Sequence, residues 1–167
     1  YASTFDLLIV QHPEEPRLAR DGQMTEGEMA TRLGLAGIPA VAEVMMLERD
    51  LRLVELTGAR YHAAHVTTAA AIHVIRGAKA RGLPGTCDTA PHYLTLPDAA
   101  ADGYRTFTKV SPPLRSEEDR LAVIEGLRDG TIDVIASDHR PQDQDSKRLP
   151  FAQAEPGIVG LETLLPL

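Results

Sequence analysis

Short apolar runs alternate along this chain with longer segments in which apolar and polar residues are mixed. The runs have the length and the β-branched residues of buried strands. They cover residues 5–11, 61–66, 85–90 and 133–136. In the longer segments, apolar residues recur at three- and four-residue steps, which predicts amphipathic helices. These segments run from Ala40 to Thr57, from Thr68 to Gly82 and from Ser116 to Gly130. Four alternations with short connections are typical of parallel βαβ units.

Local signals predict where two of the helices begin. Thr25 and Glu28 have the spacing of a capping box, which predicts a short helix at that point. Ser116 precedes three acidic residues, as an N-cap and the helix dipole favour. Residues 106–110 are predicted to be extended. Residues 157–167 form a last apolar stretch that is predicted to end in a helix.

Two architectures fit this alternation, an open doubly wound sheet and a (β/α)₈ barrel. No Gly-x-Gly-x-x-Gly turn follows a predicted strand, which weakens a dinucleotide-binding interpretation. A complete barrel takes about 250 residues, so four units correspond to roughly half of one. Tyr1 falls just before a predicted strand and Leu167 falls within the last predicted helix. We therefore expect an α/β chain that forms part of a (β/α)₈ barrel in a longer protein.

Composition and charge exclude several classes of partner. The chain has 167 residues, of which 43% are hydrophobic, so it has enough apolar residues for a sizeable core. Its formal net charge is −7 and its Lys and Arg residues are dispersed, which argues against nucleic acid or an anionic membrane as a partner. The single cysteine, Cys87, excludes an intrachain disulfide and favours a reducing compartment such as the cytoplasm.

Four side chains that can bind a metal ion lie at or just past the C-terminal ends of the predicted strands: His12, His65, His92 and Asp138. In a barrel, the carboxyl ends of the strands converge on one mouth. Imidazole and carboxylate are ligands that zinc and similar ions prefer. Taken singly, each histidine is more often a core or surface residue, and Asp138 has an equal claim to be a turn cap. Their shared placement favours a metal site.

The remaining histidines and the cysteine have structural interpretations. His62 lies in the middle of a predicted strand and His73 lies on a predicted helix, so neither has the placement of a ligand. Cys87 is also in mid-strand and has no evident base beside it in the sequence. We therefore expect Cys87 to be a small core residue and not a nucleophile.

Six motifs resemble the class I dihydroorotases of the amidohydrolase superfamily. They are QHPEEP at 11–16, AHVTT at 64–68, APHYL at 90–94, KVSPPLR at 109–115, IASDHRP at 135–141 and PGIVGLET at 156–163. They span almost the whole chain in the order that the family has them. By position, the chain is similar to strands five to eight of the family's barrel, with their helices.

The resemblance implies a role for each matching residue. His12 and His65 fall where the family binds the more buried zinc ion of a centre that holds one or two, the other ligands lying outside this chain. Asp138 falls where the family has a metal-contacting general base and acid. Pro156 and Gly157 match a loop that contacts substrate through its backbone. The implied reaction is the reversible hydrolysis of the cyclic amide of L-dihydroorotate to N-carbamoyl-L-aspartate, in pyrimidine synthesis.

Three positions depart from the family's pattern. Ser111 stands where the family often has a substrate-binding Asn, Gln142 where it often has a second His, and Pro13 where it usually has Cys. Ser111 and Gln142 are therefore candidate substrate-binding residues whose identity puts the substrate in question. The alternatives are another cyclic amidohydrolase, of the hydantoinase or allantoinase type, and a non-catalytic partner of aspartate transcarbamoylase. The expected partners are a small-molecule substrate and either a second copy of the chain or aspartate transcarbamoylase.

Overall fold

A computed structural model describes residues 1–166 of the chain. Its main sheet has four parallel strands in the order β1-β4-β5-β6, and a separate pair of parallel strands, β2 and β3, lies in the first connection. The strands are β1 Leu8–Gln11, β2 Met24–Thr25, β3 Gly37–Ile38, β4 Arg60–Ala63, β5 Gly85–Thr89 and β6 Val134–Ile135.

Three long helices connect successive strands of the main sheet. The helices are α1 Glu28–Leu33, α2 Val41–Thr57, α3 Ala69–Ala80, α4 Pro91–Thr95, α5 Glu117–Arg128, α6 Gln144–Lys147 and α7 Leu161–Leu164. Helices α2, α3 and α5 precede β4, β5 and β6, so the predicted parallel βαβ alternation is confirmed. Within residues 1–166, no helix has both the length and the apolar character needed to cross a membrane.

The main core lies between the four-stranded sheet and helices α2, α3 and α5. Leu47 of α2 and Val123 of α5 are fully buried there, together with Ile72 of α3. These residues come from the apolar faces that the three- and four-residue steps predict. Helix packing on one side of the sheet therefore follows directly from the sequence pattern.

Two of the predicted helix starts differ in how they are capped. The Ser116 side chain accepts a hydrogen bond from the backbone N–H of Asp119 at 3.2 Å, so this N-cap is confirmed. The capping-box prediction at Thr25 is wrong, because Gly27 is the N-cap of α1 and makes no side-chain cap bond. Thr25 instead pairs with Ile38 in the small sheet, and its hydroxyl accepts a hydrogen bond from Arg115.

The prediction of a fully buried strand before Asp138 is wrong for the described chain. Strand β6 contains only Val134 and Ile135, which are 49% and 38% exposed. The reason is topological, because β6 is an edge strand whose only neighbour is β5. Strand β1 lies at the opposite edge, and Ile9 and Val10 are exposed for the same reason.

Two further segments complete the comparison with the sequence pattern. The segment predicted to be extended contains a turn of 3₁₀ helix at Thr106–Thr108, in which the N–H of Lys109 donates to the carbonyl of Thr106. The extended prediction is therefore wrong there. The last apolar stretch does contain a helix, α7, while the predicted helical position of Leu167 lies outside the described residues.

Truncation of a core residue on α2 gives a test of this packing. We expect Leu47→Ala to lower the free energy of unfolding by about 2–5 kcal/mol, because it removes a fully buried side chain and leaves a cavity. Leu56→Ala on the same helix is the matched control, since Leu56 is 80% exposed and its loss should change stability by less than about 0.5 kcal/mol. Urea unfolding of both variants, in the protein that contains this chain, measures the difference. Equal effects would contradict the described packing.

Candidate metal and active site

The parallel sheet brings the predicted strand-end residues to one edge. His12 directly follows β1, His65 follows β4, and Asp138 follows β6, while His92 lies in the first turn of α4, just after β5. The rings of His12 and His65 are 5.9 Å apart between centroids and nearly perpendicular. The carboxylate of Asp138 lies between two imidazoles, with Oδ1 3.8 Å from Nε2 of His65 and Oδ2 3.5 Å from Nε2 of His92. The structure therefore brings all four residues together.

Two of these residues have backbone conformations that residues other than glycine rarely adopt. His65 has φ 58° and Asp138 has φ 40°, both in the left-handed region. Such a conformation costs roughly 1–3 kcal/mol and persists only where the surroundings hold it. Strain of this kind clusters at functional sites, so its presence at two of the predicted site residues adds to their candidacy.

The segment that carries two predicted substrate residues packs against the strand end at Asp138. The carbonyl of Pro156 accepts a hydrogen bond from Nε2 of Gln142 at 3.1 Å, and the N–H of Gly157 donates to the carbonyl of Lys109 at 2.8 Å. A Cβ on Gly157, which has φ 144°, would lie 2.2 Å from the carbonyl oxygen of Arg140, so only glycine fits there. Ser111 lies two residues past Lys109, and the structure thus brings the four predicted substrate residues into neighbouring loops.

Two buried lysines, Lys109 and Lys147, connect the loops around these residues by hydrogen bonds. The ammonium of Lys109 donates to Oε1 of Gln23 at 2.7 Å and to the carbonyls of Phe151 and Ala152 at 2.8 and 3.2 Å. These acceptors use all three of its donors. Lys147 donates to the carbonyls of Thr106 and Lys109, and burial, with the nearby charge of Lys109, lowers its pKa to about 8. Neither lysine was predicted as a site residue.

Asp88 supports the loop that carries His65. Its Oδ1 accepts a hydrogen bond from the backbone N–H of His65 at 2.7 Å, and its Oδ2 lies 2.9 Å from Nε2 of His62. The other ring nitrogen of His62 bonds to the hydroxyl of Thr86 at 2.7 Å. His62 therefore has satisfied contacts on both nitrogens within the sheet. The sequence analysis did not single out Asp88, because nothing in its local sequence distinguishes a carboxylate on this face of β5.

The histidines at the site are held in different electrostatic states. Burial and the neighbouring His65 lower the pKa of His12, and the same two causes lower the pKa of His92 to about 4. The carboxylate of Asp88, 3.1 Å from Nδ1, raises the pKa of His65 against the opposing effect of burial. Burial also raises the pKa of Asp138, although His65 and Arg140 partly oppose it. His12 and His92 are therefore neutral near pH 7.

The free ring nitrogens fit part of a metal site. Nε2 of His12 and Nδ1 of His65 are buried without a hydrogen bond, since the contact of His65 with Asp88 lacks the alignment of one. A neutral imidazole with a free nitrogen is the form that binds zinc. Among residues 1–166, no three His, Cys, Asp or Glu side chains are arranged to hold a metal ion by themselves. The pair therefore fits an ion only as part of a larger ligand set.

Cys87 and His73 have the surroundings expected of residues outside the site. Cys87 is fully buried, and burial raises the pKa of its thiol to about 12, so it is protonated near neutral pH. His73 is exposed on α3. Neither residue lies among the strand-end side chains.

Fold and site together define a class of protein. The structure is similar to an L-hydantoinase (dihydropyrimidinase) from Arthrobacter aurescens with a TM-score of 0.78 and 30% sequence identity, over 99% of this chain and 38% of that one. It is also similar to a dihydroorotase from Saccharomyces cerevisiae, with a TM-score of 0.73 over 97% of this chain and 43% of that one; at 16% identity this likeness concerns the fold alone. The described fold is thus part of an amidohydrolase (β/α)₈ barrel.

Sequence similarity narrows the class to one family. Residues 1–71 match the family described as Dihydro-orotase-like. Over all 167 residues, the chain is 54% identical to the dihydroorotases of Desulfotalea psychrophila and Syntrophotalea carbinolica. The chain spans about 40% of the length of these relatives. The chain thus matches the dihydroorotase-like family over its first 71 residues and proteins named dihydroorotase over its whole length, and the resemblance stated from its motifs is confirmed.

Burial of neutral His92 should make the stability of the protein depend on pH. Its pKa is about 4 in the folded protein and near 6.5 in the unfolded chain, so the unfolded chain binds the extra proton between these values. Stability should therefore fall as pH falls from 6.5 to 4, by an amount on the order of 3 kcal/mol from this residue. We expect His92→Phe to flatten that dependence.

Urea unfolding of the metal-free protein at several pH values measures this slope. His73→Phe is the matched control, because His73 is exposed on α3 and its replacement should leave the slope unchanged. A wild-type slope that persists in His92→Phe would show that His92 is not the group responsible.

Proposed function

We propose that the protein containing this chain is a zinc-dependent dihydroorotase, which reversibly hydrolyses L-dihydroorotate to N-carbamoyl-L-aspartate in cytoplasmic pyrimidine synthesis. The observation that carries the proposal is the meeting of His12, His65 and Asp138 at one edge of the sheet, with a free nitrogen on each imidazole. The 54% identity to proteins named dihydroorotase supports the choice of reaction. The chain would act with the remainder of a barrel, either in a homodimer or in association with aspartate transcarbamoylase.

His12 and His65 would hold one zinc ion through their free ring nitrogens. Bound zinc supplies a Lewis acid that polarises a carbonyl and makes hydroxide available near neutral pH. His12 suits this role because its lowered pKa keeps it neutral, and His65 would give up the proton that Asp88 favours on it when zinc binds. Asp88 fixes the backbone of His65 by accepting its N–H, and the same carboxylate oxygen lies 3.1 Å from Nδ1 of the ring. Fixing of a ligand by such a partner is a usual property of metal sites.

Asp138 would move the proton. In the hydrolysis, a water oxygen adds to the amide carbonyl, its proton passes to a carboxylate oxygen, and that proton then passes to the ring nitrogen as the C–N bond breaks. Burial raises the pKa of Asp138, which makes it a stronger base than an exposed carboxylate. Asp138 also lies 3.5 Å from Nε2 of His92. Because His92 is neutral near pH 7, it adds no positive charge that would make Asp138 a weaker base.

The substrate would lie against the loops that carry Ser111, Gln142, Pro156 and Gly157. Gln142 donates a hydrogen bond to the carbonyl of Pro156, so it shapes the loop that carries Pro156 and Gly157. Ser111 offers a shorter polar group than the Asn that the family often has there, which leaves space that a water can fill. These residues would decide which cyclic amide is accepted.

A second candidate is a hydrolase for another cyclic amide. The 30% identity to an L-hydantoinase over nearly the whole chain favours it, as does the change at Ser111. Turnover of dihydroorotate, hydantoin and dihydrouracil by the full-length protein distinguishes the two. If the protein prefers hydantoin, its substrate is a hydantoin and not dihydroorotate. Turnover of none of the three compounds would favour the non-catalytic alternative.

The zinc ligands are tested by metal analysis. We expect replacement of both His12 and His65 by Ala to remove bound zinc, because the two imidazoles would supply neighbouring ligands of one ion. His73→Ala is the control, since this exposed histidine lies outside the site. The measurement is zinc per full-length protein after dialysis. Unchanged zinc in the double variant would rule out this ligand assignment.

The proton shuttle is tested at Asp138. Asp138→Asn keeps the shape of the side chain but cannot accept a proton, so kcat should fall by about 10²- to 10⁴-fold with zinc retained. If Asp138 were only a turn cap, the loss would be about 1 kcal/mol of stability and the rate would be spared.

Asp21→Asn is a matched control for this variant. Asp21 is exposed and also has a left-handed backbone, with φ 61°, so the same substitution tests the conformational effect alone. Steady-state rates, zinc content and melting temperature are measured for both variants. A near-normal kcat in Asp138→Asn with zinc bound would remove Asp138 from the chemistry.

A further inference from the structure

The loop that carries His65 is held by an uninterrupted series of backbone hydrogen bonds. Every N–H from Ala64 to Thr68 has an acceptor, although this segment lies outside strands and helices. Side-chain carboxylates provide three of these five acceptors. The bonds are Ala64 to Gln11 O at 2.8 Å, His65 to Asp88 Oδ1 at 2.7 Å, Val66 to Asp88 O at 2.8 Å, Thr67 to Glu43 Oε1 at 3.0 Å and Thr68 to Glu43 Oε1 at 3.2 Å.

Glu43 is the more distant and the more deeply buried of the two carboxylates. It lies in the first turn of α2 and is 1% exposed. Besides the two N–H groups, it accepts hydrogen bonds from the hydroxyls of Thr67 and Thr68. A buried carboxylate is tolerated only when its charge is compensated and its oxygens are satisfied, and here the loop itself provides most of its donors.

Arg115 compensates that charge from the other side. Its Nη2 lies 3.3 Å from Oε2 of Glu43, and its side chain is 2% exposed. Its Nε donates to the hydroxyl of Thr67 at 2.9 Å, and its Nη1 donates to the hydroxyl of Thr25 at 3.3 Å. The guanidinium thus links Glu43 to Thr25 of the small β2–β3 sheet. Both members of the ion pair also make hydrogen bonds to Thr67.

The same end of α2 also holds the loop that follows His12. The N–H of Glu15 donates to the carbonyl of Ala42 at 2.9 Å, and Ala42 precedes Glu43 in α2. The first turn of this 17-residue helix therefore contacts the loops of both histidines that the proposed function assigns to zinc. A long helix packed on the sheet is a rigid support for both.

We infer that Glu43, with its charge balanced by Arg115, is a positioning residue that holds His65 in its left-handed conformation before zinc binds. The inference rests on the proposed function for the identity of the ion. Glu43 touches neither imidazole. It accepts hydrogen bonds from the N–H groups of Thr67 and Thr68, the two residues that precede α3, and thereby fixes the chain just after His65. Loss of such a partner typically weakens metal binding by about 10- to 100-fold.

Two double variants of the full-length protein separate positioning from stability. Both carry Arg115→Met, which avoids an unpaired buried charge. In one, Glu43→Gln keeps an oxygen that can accept from the N–H groups of Thr67 and Thr68. In the other, Glu43→Met fills the space without an acceptor. We expect the Met variant to bind zinc 10- to 100-fold more weakly than the Gln variant in competition with a chelator, and the Gln variant to stay within about threefold of wild type.

Hydrogen exchange supplies a second measurement that does not need zinc. In metal-free wild type, the amides of residues 65–68 should exchange at least about 100-fold more slowly than those of the exposed residues 143–145. In the Met variant they should exchange faster than in the Gln variant. Glu48→Gln, at an exposed position on the same helix, should change neither exchange nor zinc affinity.

The outcomes distinguish this inference from the proposed function. Equal zinc affinity of the two double variants, or fast exchange of residues 65–68 in metal-free wild type, would overturn the positioning role while leaving the enzyme assignment intact. A wild type that binds no zinc would overturn the proposed function, and the exchange data would still decide whether Glu43 holds the loop. If the Met variant does not fold, the wild-type exchange measurement decides alone.

Discussion

The pairing of β5 with both β4 and β6 is the constraint on which the site depends. It places Asp88 beside the end of β4, where its side chain and its carbonyl accept the N–H groups of His65 and Val66. It also places Ile135 opposite Thr89, so the chain after β6 reaches the same edge of the sheet. Parallel pairing thus converts four separate strand ends into one group of side chains, as the architecture of (β/α)₈ barrels requires.

The buried polar groups at this edge of the sheet are of two kinds, those with hydrogen-bond partners and those without. Glu43 and Arg115 are deeply buried, and every nitrogen and oxygen of their charged groups has a partner, whereas His12 and His65 each keep a free nitrogen and His92 keeps both of its nitrogens free. Buried polar groups are normally satisfied, so free ones concentrated at a single edge indicate groups kept for a ligand. The bonded pair provides rigidity, and the free imidazoles are the groups that we propose to hold the ion.

The two edges of the sheet differ from its centre in exposure. Apolar side chains of β1 and β6 are exposed, while those of β4 and the central part of β5 are covered. In a closed barrel each strand has a neighbour on both sides, and such side chains face a packed interior. The chain spans about 40% of the length of its relatives, so the described sheet corresponds to part of that closed arrangement.

Much of the fold could be predicted from local pattern. The periodicity of Val44, Leu47, Leu51 and Val54 determined helix α2, and Ser116 with its acidic neighbours determined the start of α5, because both depend on residues within a few positions of each other. The strand-end placement of His12, His65, His92 and Asp138 was also readable, since apolar runs mark where strands stop. The motifs then indicated the family.

Tertiary structure decided what depends on residues far apart in the chain. Thr25 has the spacing of a helix cap, but it pairs with Ile38 in the small sheet and accepts a hydrogen bond from Arg115 instead. The strand before Asp138 looked buried because its residues are apolar, yet burial depends on which strands lie beside it. Glu43 lies 24 residues from Thr67, and no local signal marks a carboxylate on a helix as the support of a distant loop. The sequence alone therefore determined which residues end the strands. Only the packing of α2 and β5 decided how firmly those residues are held, because that depends on contacts no short pattern encodes.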